Sequence, residues 1–260
     1  MPRRIVVALS AARLSGTFSR IAANVLNWLH ADPLMVMSKL VIRVFSVVAA
    51  VLTTAISAAY AGGFSHDEPG YFDFYVLSLS WSPSFCAATV ERDFERRPPL
   101  QCSGRPYSFV VHGLWPQYEK GFPEYCQVPA RRLNRNIVSS MLDLMPAPSL
   151  IYNEWDKHGT CSGLAPRAYF DMIRKARAVV KIPEEYMGLQ EPLTVTPGEV
   201  TEAFVKTNPG LSADDMAVEC GRKRLTEVRI CLSKELQFRA CPEITRRNCR
   251  RPQMLMPPVR

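Results

Sequence analysis

The chain has 260 residues, 47% of them hydrophobic, and a formal charge of +8. The apolar fraction is that of a globular protein, and the length allows one large domain or two small ones. The charge is uneven: residues 1–61 carry six basic groups and one acid, leaving 26 basic and 23 acidic groups elsewhere. That remainder is too nearly balanced for charge alone to identify a polyanion-binding protein.

Residues 37–61 read as a secretory signal. Lys39 and Arg43 form a positive start, Val44 to Ile56 is an apolar stretch of 13 residues, and Ala59-Tyr60-Ala61 fits the small-x-small cleavage rule. The stretch is shorter than the ~18–20 residues of a spanning helix, so a membrane anchor is the weaker alternative. Met35 or Met37 is the expected start, with the residues before it outside the natural chain. All eight cysteines lie after residue 85, and none has the close spacing of a zinc site. An even set confined to one region predicts disulfides and an oxidising compartment. The expectation is a mature domain of residues 62–260, periplasmic or secreted, with no stable membrane association.

Phe72 to Trp81 alternates as a strand, ended by Pro83. Residues 91–105 are charged and Pro-rich, as in a loop. Ser108 to His112 is a second short strand, with Gly113 and Pro116 marking its end. Residues 131–145 have helical spacing, and Pro146 and Pro148 stop that helix. Ser149 can cap the next helix, which ends at Gly159. Pro166 to Val180 is an amphipathic helix. Thr196-Pro197-Gly198-Glu199 is a capping box opening a helix to about Lys206. Short strands are predicted at Ala217–Cys220, Leu225–Ser233 and Leu236–Cys241, followed by a loose basic tail from about residue 250. Helices and strands do not alternate strictly, so the fold class is α+β with an antiparallel sheet.

Two of the four histidines sit in dense strings 46 positions apart. His112 precedes Gly113-Leu114-Trp115-Pro116, and His158 follows Asn153-Glu154-Trp155-Asp156-Lys157. On a helix, Glu154, Lys157 and His158 share one side, while Trp155 turns to the core. Cleaving RNA by transesterification needs a base for the 2′-OH, an acid for the departing 5′-oxygen and a cation at the phosphate. Histidine suits both proton roles near neutral pH. Lys157 can meet the phosphate charge, and Trp115 offers a face for a base. Taken singly, Lys157 is a solvated helix residue and Trp115 a core residue. A Cys161–His158 hydrolase is a rival, weakened because an oxidised sulfur cannot attack. A secreted RNA-binding protein with a dead site and a disulfide-rich interaction module are others.

The strings His112–Pro116 and Glu154–Cys161 closely resemble the two active-site segments of the T2 ribonuclease family, and Tyr75–Pro83 resembles its opening strand. The likeness spans about residues 71–250. It implies an α+β fold, a central antiparallel sheet flanked by helices and stabilised by disulfides. It also implies endonucleolytic cleavage of single-stranded RNA through a 2′,3′-cyclic phosphate, with no metal or other cofactor and low base specificity. A monomer is expected. By position, His158 is the general base and His112 the general acid. Glu154 and Lys157 support the transition state, and Trp115 holds a base. The implied disulfides are Cys86–Cys102, Cys126–Cys161, Cys220–Cys249 and Cys231–Cys241. Many family members carry a third histidine where this chain has Asn153, which implies weaker phosphate binding here.

Overall fold

A computed structural model describes residues 67–92 and 98–260. The signal expected at residues 37–61 lies outside the described residues. Six strands are present among them: β1 (Phe74–Trp81), β2 (Phe109–Gln117), β3 (Leu193–Val195), β4 (Met216–Cys220), β5 (Leu225–Leu232) and β6 (Met254–Met256). The helices are α1 (Ser82–Arg92), α2 (Leu100–Ser103), α3 (Arg135–Met141), α4 (Pro148–Lys157), α5 (Pro166–Val179), α6 (Glu184–Met187), α7 (Pro197–Thr207) and α8 (Pro242–Thr245). The main sheet has the order β2-β1-β5-β4 with antiparallel neighbours throughout. β3 and β6 form a separate antiparallel pair.

The period of two along β1 sorts its residues onto two faces. Tyr75, Leu77, Leu79 and Trp81 enter the main core, which also holds Trp155 of α4, Tyr169, Phe170 and Ile173 of α5, and Phe204 of α7. Phe74 and Val76 join a small second cluster with Ala217, Cys231, Cys241 and Ile244, and Trp115 packs against it. Ser78 and Ser80 continue that second face. Their register partners there include Gly113 on β2 and Arg229 and Glu227 on β5. One face of the sheet therefore carries the core, and part of the other is left polar.

Several boundaries differ from the sequence reading. β2 does not stop at His112 but runs through Gly113 and Pro116 to Gln117. β2 is an edge strand, and a proline there costs no central ladder bond. Pro148 takes the first turn of α4, where its missing N–H is harmless, so Ser149 lies inside the helix and Ala147 is the cap. Leu236–Cys241 is not a strand. Only an isolated bridge, Leu232 to Phe238, is formed, and Leu236 sits in a turn at φ 64°.

The tail is not loose. Met254 and Met256 are buried, β6 pairs with β3, and the Trp81 indole N–H donates to the Pro257 carbonyl at 3.1 Å. Two buried methionines outweigh the basic, proline-rich composition that suggested otherwise.

The eight cysteines form Cys86–Cys102, Cys126–Cys161, Cys220–Cys249 and Cys231–Cys241, the pairs the resemblance implies. Cys161 is therefore not available as a nucleophile.

Candidate active site

The register of β1 on β2 slips between Ser78 and Leu79. Ser78 faces Gly113, Leu79 faces Val111, and His112 is the extra residue between them. A bulge of this kind puts two successive residues on the same side of a strand and re-aims the first. Here it turns His112 and Gly113 to the polar face, with Trp115 two positions on. His112 thus lies in mid-strand, not at the strand end expected from Gly113.

α4 packs against β2 and brings its last turn to this bulge. Trp155 anchors the helix from its apolar side, its indole N–H donating to the Arg131 carbonyl at 2.7 Å. Glu154, only 2% exposed, points the other way. It accepts a hydrogen bond from Trp115 Nε1 at 2.7 Å and lies 3.6 Å from His112 Nε2. The contact requires a glycine at 113, since a Cβ there would overlap the Glu154 carboxylate and Trp115 Nε1. His158 caps the helix, followed by a 3-10 turn (Gly159–Ser162) that the Cys126–Cys161 disulfide clamps to the loop after β2. Backbone contacts hold the same junction: Tyr125 N–H donates to the Lys157 carbonyl at 2.8 Å, and Gly70 N–H to the Cys161 carbonyl at 2.9 Å.

The Trp115 ring stands between the two histidines, 5.4 Å from the His112 ring and 5.3 Å from the His158 ring, centre to centre. Arg229 Cζ lies 5.2 Å over the same indole. Two residues that the motifs do not contain complete the site. Glu227 on β5 accepts from His112 Nδ1 at 2.5 Å and from Ser80 Oγ at 3.3 Å. Arg229, two positions on, donates to Glu227 Oε2 through Nη2 at 3.0 Å and to Glu219 at 2.8 Å. A signal for both was present: a carboxylate and a guanidinium at period two in a strand whose other face is apolar.

The histidines sit in opposite electrical settings. Burial alone would lower the His112 pKa, but the Glu227 hydrogen bond and charge, with Glu154, raise it above the ordinary value. Burial drives His158 down to about 3, and the positive charges of Lys157 and His112 add to that. Its Nδ1 is sealed in with no partner, which leaves Nε2 as the nitrogen that can meet a substrate. Burial pushes Glu154 up to about 7, against the opposing pull of His112. Burial also works on Glu227, yet His112 and Arg229 hold it down at about 2.

Lys157 reaches this group electrostatically, but its ammonium is paired with Glu124 at 3.4 Å. Asn153 is exposed and shares a cavity of about 350 Å³ with His112, Ser80 and Ser149. All six residues singled out by the motifs therefore converge on one region. The indole is engaged by Glu154 and its neighbours, beyond the base-stacking surface expected of it.

The sequence model of the ribonuclease T2 family matches residues 72–241. A ribonuclease of Aeromonas hydrophila is 34% identical over 212 residues, covering 74% of this chain and 89% of that protein. Ribonuclease I of Escherichia coli is 24% identical over 226 residues, covering 72% and 84%. RNase NT in complex with 5′-AMP superposes with a TM-score of 0.52 at 26% identity, over 72% of this chain and 99% of that one. An RNase-related protein from Calystegia sepium gives 0.58 at 20% identity over 73% and 98%, a likeness of fold alone.

Proposed function

Since this chain belongs to the ribonuclease T2 family and is an endoribonuclease, we propose that it cleaves single-stranded RNA by metal-independent transesterification between His158 and His112. Two histidines on either side of the Trp115 ring, one of them bonded to a carboxylate, carry this reading. His158, kept neutral by burial, takes the 2′-OH proton through Nε2. A pKa near 3 makes it a weak base alone, and the phosphate dianion character that develops beside it raises its basicity as the proton moves. The 2′-oxygen attacks phosphorus, and the bond to the 5′-oxygen breaks. His112, held protonated by Glu227, gives that oxygen its proton through Nε2. The product is a 2′,3′-cyclic phosphate. Each histidine leaves the step in the other's charge state, and water resets both in the hydrolytic step.

Glu154 and Lys157 steady the phosphorane, Lys157 by leaving Glu124 for the phosphate oxygens. Trp115 fixes Glu154, and the open part of its ring meets a base. Asn153 contacts substrate without charge, so phosphate binding is weaker than a histidine there would give. Low base specificity belongs to the same reading. Residues 62–260 form the mature, monomeric domain, exported behind a signal at about 37–61 and active in the periplasm or outside the cell, free of the membrane. Four disulfides support that compartment.

RNA digestion by the oxidatively folded protein in excess EDTA tests the reaction. We expect undiminished cleavage with 2′,3′-cyclic ends, and for Asn153→His a ten- to thirtyfold gain at acidic pH, roughly 1–2 kcal/mol. Loss of activity in EDTA would overturn metal independence, and an unchanged Asn153→His would overturn the weak-phosphate reading.

A further inference from the structure

A second, larger cavity lies behind α1 and takes no part in the chemistry above. It measures about 850 Å³ and is lined by Glu91 and Arg92 of α1, by Arg222, Lys223 and Arg224 of the β4–β5 turn, and by Arg251. Among the described residues, five cations face one acid. Glu91 is taken by Arg224. Among the described residues, no carboxylate lies within ion-pair distance of Arg92, Arg222, Lys223 or Arg251.

Like charges gathered round one cavity without carboxylate partners repel one another. These are also held on a stiff frame. Gly221 N–H donates to the Arg224 carbonyl at 2.9 Å, Leu255 N–H to the Lys223 carbonyl at 2.9 Å, and Arg251 Nε to the Gly221 carbonyl at 3.0 Å. The Cys220–Cys249 disulfide ties the turn to the tail segment. The backbone that carries the cations is thus fixed, so an anion that enters orders only their side chains.

α1 divides this cavity from the one containing His112. Ser84, Ala88, Glu91 and Arg92 line the basic side, and Phe85 lines the His112 side. Phe85 and Arg92 are separated by roughly 10 Å of helix axis. On the sheet, Thr226 lines the basic cavity, and the next residue, Glu227, bonds His112. A chain leaving the scissile phosphate on the His112 side reaches the cations within a few nucleotides.

We propose that this cavity is a phosphate-backbone subsite for the RNA strand on the leaving-group side of the scissile bond. It rests on the reading that His112 protonates the 5′-oxygen, because that assignment sets which arm of the substrate runs past α1. The site takes phosphates without regard to base, and it raises affinity for long RNA without taking part in the bond change.

The test uses DNA strands of about twelve nucleotides with one ribonucleotide, which allows a single cut, placed near the 5′ or the 3′ end. For Arg222→Ala/Lys223→Ala we expect KM on the long-3′-arm strand to rise about ten- to thirtyfold at 0.1 M salt, with the salt slope flattened by about 1.4. The long-5′-arm strand and a dinucleoside phosphate should be cut as before. An unchanged KM, an equal rise for both arms, or a loss on the dinucleoside phosphate would overturn the proposal. Binding of the all-deoxy strand, followed by fluorescence anisotropy, reads the cavity without catalysis. If the parent protein cut neither short nor long strands, the catalytic reading would fail. Unchanged anisotropy in the variant would count against the cavity alone.

Discussion

At the scale of single residues, the site separates two identical side chains by their neighbours. Against the effect of burial, the Glu227 carboxylate on Nδ1 raises the His112 pKa, while burial, with the nearby cations, lowers that of His158. Glu227 is the group that makes the difference at His112. Replacing it by Gln keeps the shape and removes the charge, so the alkaline limb of the kcat/KM profile should move to lower pH. We expect kcat to fall about ten- to a hundredfold with KM little changed; an unmoved limb would remove Glu227 from this role. Glu154 carries the opposite cost. Its folded pKa, about 7, lies above the ordinary carboxylate value, so its contribution to stability is full below about pH 4.5 and lost as pH rises through 7. Glu154→Gln, which can still accept from Trp115, should therefore abolish most activity and yet stabilise the protein at pH 8 by about 2–3 kcal/mol. Denaturant melts at pH 4 and pH 8 check this, and equal effects at both would contradict it. His112, Glu154 and His158 stood out in the sequence because their strings are unusual. Glu227 and Arg229 did not, because Glu227 lies 115 positions from its partner His112 and Arg229 bonds Glu219 on the neighbouring strand β4, and only strand pairing unites them.

At the scale of elements, the bulge in β2 and the last turn of α4 make the site. Gly113 marked a strand end in the sequence, but its small size is needed in mid-strand to admit Glu154. Gly113→Ala should push Glu154 off Trp115, costing about 1–3 kcal/mol of stability and about a hundredfold in activity. Thermal melts and dinucleoside phosphate cleavage measure both, and a fully active variant would contradict the packing argument. Strands and helices with strong periodicity were legible: β1, α5 and the capping box of α7 lie where expected, with Thr196 and Glu199 bonded reciprocally. α1 was not foreseen, since its only sharp signal, Pro83, reads equally as a strand terminator and a first helical residue. β6 was hidden by its basic, proline-rich flanks, because burial of Met254 and Met256 depends on β3, some 60 positions earlier.

Over the whole molecule, the sheet divides the labour. One face buries aromatic and aliphatic side chains, and part of the other holds a charged array whose members would be costly to bury without pairing. The Cys126–Cys161 bond and the Gly70–Cys161 contact close the chain around the last turn of α4, which fixes where His158 stands. The assignment of base to His158 and acid to His112 is tested most directly with a uridine 3′-aryl phosphate, whose leaving group departs without a proton. His112→Ala and His158→Ala would be compared on that ester and on a dinucleoside phosphate. We predict that His112→Ala loses about 10²–10⁴-fold on the dinucleoside phosphate but keeps most activity on the aryl ester, while His158→Ala loses both. Retention of aryl ester cleavage by His158→Ala, with loss in His112→Ala, would reverse the two roles.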